Sequence, residues 1–327
     1  MALQNFEQIR GLVRSRAALL REGSSEREIV RRVRNGTLLR LSRGMYARPE
    51  TLSGLTPEER HLVYVIAVAK TRRVDNPFSS HSAAALLRLP LFGFREARPQ
   101  ILVSHQSGSS STHNVERRSA VFSENEIVTV SGIRCTNLDR TVLDLSRFDS
   151  PELAIACADE AIRMRFPLER GQDPQPIAKL WRQKLLEQLE AVRGTRGVRR
   201  AARVIQLADG TADSPLESVA RLRFTEFGYD VAAQVRVPSP NGTFYYVDLE
   251  LLGLGIFCEV DGKKKYTDPS IRNGKTADEV VLEEKRRSNW IEGTTKKRVL
   301  RLGYRELVTP LAFANWLRAN QVPPPPK

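Results

Sequence analysis

Asp248, Glu259, Asp261 and Lys263 are the side chains whose types and spacing could do chemistry. They stand near the ends of two strand-like runs. Residues 243–249 are β-branched and aromatic and follow the turn signal Pro240-Asn241-Gly242. The second run, Leu254 to Val260, is apolar until Glu259, Asp261 and Lys263 interrupt it. Successive side chains on a strand point to opposite faces, so these three share one face. Two carboxylates and an amine on one side of an apolar strand are costly to bury, and a metal ion would offset that cost.

The chemistry such a site supports is phosphodiester hydrolysis. Hard oxygen ligands from Asp248, Glu259 and Asp261 suit Mg2+ or Mn2+, which lowers the pKa of bound water and neutralises phosphate charge. Lys263, a compact point charge, would orient the attacking water or stabilise the pentavalent state. The alternative is an Asp261-Gly262 turn closing a strand, with Glu259 in an ordinary ion pair.

These residues resemble the PD-(D/E)XK nuclease superfamily, in particular the small endonuclease-like domains related to the very-short-patch mismatch-repair nuclease. The resemblance implies an αβββαβ core, Mg2+ dependence and DNA cleavage. Ser214-Pro215-Leu216-Glu217-Ser218-Val219-Ala220-Arg221 looks like the opening helix of that branch, with Glu217 facing the site. Glu284-Lys285-Arg286-Arg287 and Arg298-Val299-Leu300-Arg301 look like its closing helix and last strand. Two registers fit the motif, Glu259-x-Asp261 and Asp261-x-Lys263, which leaves the roles of Asp261 and Lys263 open.

The elements that position this site belong to a chain of 327 residues, enough for two or three domains. Hydrophobic content of 41% and charge of 28% are those of a globular protein. The formal net charge of +14 is not ordinary, and it favours a polyanionic partner, nucleic acid first. Cys135, Cys157 and Cys258 are far apart and odd in number, which excludes a disulfide framework and a zinc spacing. With no signal-like start and no apolar run of about 18 residues, a cytoplasmic protein without a membrane partner is expected.

Residues 3–21 have helical periodicity, and Gly23 ends that region. Ser25-Glu26-Arg27-Glu28 opens a second helix, Glu26 to Arg34, which Asn35-Gly36 stops. Leu38 to Leu41 and Met45 to Ala47 flank Ser42-Arg43-Gly44 as a short hairpin. Helices followed by a basic hairpin make a winged helix-turn-helix. In that fold the capped helix enters the major groove and the wing tracks the backbone. Arg27, Arg31 and Arg34 would read bases or phosphates, with Arg40 and Arg43 in the wing. Residues 1–50 hold eleven arginines and no lysine against five glutamates. The stretch Ile29 to Tyr46 is similar to the N-terminal domain of AbiEi-type antitoxins, type IV toxin–antitoxin regulators. That resemblance implies promoter binding and admits a homodimer and a toxin partner.

Residues 51–211 read as a mixed α/β and helical connector. Helices are expected after Thr56-Pro57, over Ser79–Leu89, near Thr136–Leu145, and over 151–165, 176–193 and 198–208; strands are expected at 101–104, 120–122 and 127–130. Ser80-His81-Ser82-Ala83-Ala84-Ala85-Leu86 and Asp139-Arg140-Thr141-Val142-Leu143-Asp144-Leu145 also resemble the middle region of AbiEi-like proteins. His81 among serines reads as a structural cap. The endonuclease-like domain spans 212–319, and a proline-rich tail, 320–327, is expected to be disordered. Lys263, Lys264 and Lys265, then Lys285, Arg286 and Arg287, would clamp phosphates, with Tyr266 and Trp290 as candidate stacking groups. The leading expectation is a DNA-binding protein with an Mg2+-dependent endonuclease domain, acting on double-stranded DNA. The rival is an AbiEi-like regulator whose nuclease-like fold binds DNA without cutting.

Overall fold

The computed structural model describes residues 6–71, 76–95, 97–104, 111, 114–167, 175–261 and 277–326, with backbone only at 277–281. Lys263, Lys264, Lys265 and Tyr266 lie outside the described residues. The fold is mixed α/β, and the chain forms two compact units, Met1–Ser150 and Pro151–Lys327. No described helix is long and apolar enough to cross a membrane.

The first unit opens with α1 (Phe6–Leu12), β1 (Arg14–Ser15), α2 (Arg16–Arg21) and α3 (Glu26–Arg34). The hairpin β2 (Leu39–Ser42) and β3 (Met45–Ala47) follows, and the three strands form a sheet in the order β1-β3-β2. The single helical region expected over 3–21 is therefore two helices. Arg14 and Ser15 leave the helix to pair with Tyr46 and Met45, and the Ser15 side chain then caps α2 by accepting from Ala18 N. This helix–strand–helix–helix–hairpin order is the winged-helix arrangement. Gly44, at φ +71°, makes the wing turn at no steric cost.

After α4 (Pro49–Leu52), α5 (Pro57–Ala69) starts on a capping box, Thr56 accepting from Glu59 N and Glu59 from Thr56 N. Its buried face joins α1 and the wing in one core containing Phe6, Ile9, Leu41, Val63 and Ile66. The rest of the unit comprises α6 (Ser80–Leu86), β4 (Gln100–Val103), β5 (Glu116–Ser119), β6 (Ile127–Val130), β7 (Ile133–Thr136) and α7 (Leu138–Phe148). The strand expected at 120–122 lies earlier. Backbone pairing with β4 selects 116–119, and Val121 is left 80% exposed. His81 Nε2 meets Asp149 Oδ1 at 2.6 Å, a structural tie between α6 and the end of α7.

The second unit begins with α8 (Pro151–Arg165), α9 (Gln175–Glu190) and α10 (Val198–Leu207). These pack with α11 (Pro215–Glu226), so the helices grouped above with the connector share a unit with the C-terminal sheet. Buried arginines make the join: Arg221 Nη2 donates to Asp159 Oδ2 at 2.7 Å, and Arg223 bonds Glu152. Next come β8 (Val231–Pro238), β9 (Phe244–Leu251), β10 (Ile256–Asp261), α12 (Ala277–Thr295) and β11 (Arg298–Gly303). The sheet order is β11-β10-β9-β8, antiparallel except for the parallel pair β10–β11. From α11 to β11 this is an αβββαβ core. The short α13 (Tyr304–Leu307) and α14 (Pro310–Ala319) follow. The proline-rich tail does not stand free over its described part, since Tyr229 Oη donates to Pro323 O at 2.9 Å.

Candidate functional site

The winged helix presents its arginines outward because its apolar residues fix the rotation of α3. Ser25 caps the helix, accepting from Glu28 N at 3.2 Å, and Glu26 and Glu28 sit in the first turn where the helix dipole favours them. Ile29 packs with Leu19, Leu38 and Tyr46. Positions three and four residues apart share a helix face, so burying Ile29 and half-burying Val33 turns Arg27, Arg31 and Arg34 to solvent. Arg40 and Arg43 of the wing are exposed as well. The five arginines of residues 1–50 expected to contact nucleic acid thus lie on the surface of one small motif. Between α3 and the wing is a cavity of about 560 Å3, lined by Arg16, Ile29, Val30, Arg40, Arg43, Gly44, Tyr46 and Thr71. Arginine forks around a groove suit phosphate oxygens and base edges.

Asp248 and Glu259 of the second unit occupy one row across the sheet. Glu259 on β10 pairs with Arg301 on β11 in the strand register. On its other side, pairing between β9 and β10 ends at Cys258–Leu249, so the next position faces Asp248. Between β8 and β9, Ala233–Leu249 and Val235–Val247 pair, but the intervening Gln234 and Asp248 do not. Gln234 adopts φ +50°, a left-handed backbone rare for a side chain of its kind. The row therefore reads Gln234, Asp248, Glu259, Arg301, and the ladder is broken on both sides of Asp248.

The partners of these groups are specific. Val260 N donates to Asp248 Oδ2 at 2.7 Å, so the carboxylate replaces the strand backbone where β9 and β10 part. Glu259 is 4% exposed. Its Oε2 accepts from Arg287 Nη1 at 2.7 Å, while its buried Oε1 has no hydrogen-bond partner among the described residues. Arg287 Nη2 also donates to Tyr246 O at 2.6 Å, fastening α12 to the sheet. Asp261 faces Arg301 at 3.4 Å, and Arg301 reaches Glu284 at 3.1 Å and Ser288 at 3.1 Å. Glu217 on α11 accepts from Asp213 N at 2.8 Å and from Gln234 Nε2 at 3.0 Å, and burial pushes its carboxyl up from the ordinary range. Glu217 thus meets the row through Gln234. Burial, with the charges of Asp248 and Glu259 beside it, also pushes the Cys258 thiol up and keeps it protonated.

Among the described residues no three His, Cys, Asp or Glu side chains gather closely enough to hold a metal ion. Glu259 and Asp261 each face an arginine instead, so the ion-pair alternative for Glu259 is what the geometry contains. Of the expected phosphate clamp on α12, Lys285 and Arg286 are exposed, whereas Arg287 turns inward to Glu259. Trp290 commits its indole N–H to Pro238 O at 2.9 Å. Gln234 and Arg301 complete the row; the sequence marked Arg301 only as part of the last strand and did not mark Gln234. A glutamine inside the run Val231–Val237 was the available signal for the first. Arg301 required the parallel register of β10 and β11.

Residues 1–49 match the family described as transcriptional regulator, AbiEi antitoxin. The match covers the winged helix and ends there. No curated protein matches the chain.

Proposed function

We propose that this protein is a duplex-DNA-binding regulator that docks through its N-terminal winged helix. The observation that carries this reading is the exposure of Arg27, Arg31, Arg34, Arg40 and Arg43 on α3 and the wing, within the residues that match the AbiEi regulators. Helix α3 enters the major groove, and the wing lies along the backbone. The net charge of +14 supplies long-range attraction to the polyanion. Each arginine that neutralises a phosphate releases a counterion, so binding weakens steeply with salt. Fluorescence anisotropy on a labelled random-sequence duplex, repeated from low to high salt, tests the reading. The expected slope of log K against log salt is about −4 to −5, roughly −0.9 for each of five contacts. A slope near zero, or no binding at low salt, refutes it.

A second reading is favoured by one observation, the buried and unbonded Oε1 of Glu259 inside an αβββαβ core. On that reading the second unit hydrolyses DNA with Mg2+ or Mn2+, and Arg287 must first release Glu259. Supercoiled plasmid incubated with either metal, beside EDTA and an Asp248→Ala variant, tests it. Metal-dependent nicking that disappears in the variant supports cleavage. Binding without nicking leaves the second unit as a non-cutting partner of the winged helix.

A further inference from the structure

Val30 is the apolar side chain on the arginine-bearing face of α3. It is 63% exposed, while its neighbour Ile29 is 2% exposed, so the rotation of α3 that buries one delivers the other to the surface. At about 100° per residue, Val30 stands within the same arc as Arg34, Arg27 and Arg31. On its other side it lines the cavity shared with Arg16, Arg40 and Arg43. An apolar, β-branched group is therefore surrounded by the cations of both the helix and the wing. The cations explain attraction to phosphate; they do not explain the valine. The thymine 5-methyl is the apolar group that the major groove offers, and an apolar side chain is what reads it.

We propose that Val30 selects thymine, packing its methyls against the 5-methyl of a base that the arginines hold in place. The inference rests on the DNA-binding reading above and goes further by naming the base feature recognised. The occupant of this face is the major groove of a duplex, argued from the arginines that ring the valine. Losing contact with one methyl group weakens binding about fourfold, the equivalent of about 0.8 kcal/mol per buried carbon.

The test uses the full chain and a duplex selected for tight binding from a randomised library. Each thymine of that duplex is replaced in turn by uracil, which removes only the methyl group, and affinity is read by anisotropy. Wild type is expected to lose about fourfold at one thymine, or at one in each half-site, and little elsewhere. Val30→Ser, which retains similar helix propensity, should bind the thymine duplex several-fold more weakly than wild type and be indifferent to that uracil. Tight binding by wild type with no sensitivity to any thymine-to-uracil change overturns the inference and leaves the DNA-binding reading intact. So does a Val30→Ser variant that keeps the wild-type thymine preference, or one whose only change is a weaker self-association by sedimentation. Failure of wild type to enrich or bind any duplex overturns both.

Discussion

Replacing Arg287 by methionine strands a buried charge. Glu259 is 4% exposed and already has one oxygen, Oε1, without a partner among the described residues; Arg287 holds the other at 2.7 Å. Arg287→Met leaves the carboxylate wholly unpaired and also removes the 2.6 Å bond to Tyr246 O. Breaking one side of a buried ion pair costs about 3–5 kcal/mol, whereas replacing both sides by apolar residues is close to neutral. Arg287→Met is therefore expected to destabilise the second unit by about 3–5 kcal/mol, and Arg287→Met with Glu259→Leu to recover about 2 kcal/mol or more of that loss. Urea titration followed by tryptophan fluorescence reads this directly. Trp181, Trp290 and Trp316 are the three tryptophans of the chain, and all lie in Pro151–Lys327. The first unit is silent in that signal. A cost below about 1 kcal/mol for Arg287→Met, or a double variant as unstable as the sum of the two singles, refutes the ion pair as the holder of Glu259.

The His61 imidazole, lowered from 6.5 to about 3 by burial and secondarily by the charge of His81, stays neutral in the fold and bonds Ser82 Oγ at 3.0 Å. A depressed folded pKa means that stability is complete above pH 6.5 and is lost as pH falls toward 3; about 3 kcal/mol should be gone at pH 4.5. Urea midpoints from circular dichroism should show this loss in the first unit, and His61→Gln should abolish that part of the pH dependence. Arg221→Met leaves Asp159 and Asp209 buried without their shared cation, at 2.7 and 3.3 Å in the native fold. The expected cost is about 3–5 kcal/mol at neutral pH. Burial and the Asp159 charge already raise the Asp209 carboxyl, and loss of Arg221 raises it further, so the variant should regain stability as pH falls and this acid protonates. Thermal melts at pH 5 and pH 7 compare the two, and a variant less stable at pH 5 than at pH 7 relative to wild type contradicts the sign.

Local signals made much of this fold legible. Ser25 as a cap, Asn35-Gly36 as a stop and Arg43-Gly44 as a turn act within a few residues, so α3 and the wing could be placed from sequence. Thr56-Pro57-Glu58-Glu59 marked α5 in the same way. Strand β1 was not legible, because its two residues owe their conformation to Met45 and Tyr46, thirty residues away. The alternation around Asp248 and Glu259 marked the two strands β9 and β10, while the αβββαβ order was implied by the resemblance to endonuclease-like domains. The partners of those carboxylates were not. Arg286 and Arg287 are indistinguishable in a sequence, and which one turns to the sheet depends on how α12 docks. The broken pairing at Gln234 and Asp248 depends on the register of two strands and on a left-handed backbone, and no composition signal carries either. Alternation placed Glu259 and Asp261 on one face, and it could not show that arginines, Arg287 and Arg301, would meet them there.

Helix α3 is the element proposed to meet DNA. The direct test is the affinity of the full chain for its selected duplex, compared between wild type and an Arg27→Ala, Arg31→Ala, Arg34→Ala variant. These residues are exposed, so the variant should keep the wild-type circular dichroism spectrum and melting temperature. With about 1 kcal/mol or more lost per arginine, affinity should fall about 100-fold or more. Affinity unchanged in a folded triple variant would contradict the account and move the DNA interface away from the winged helix.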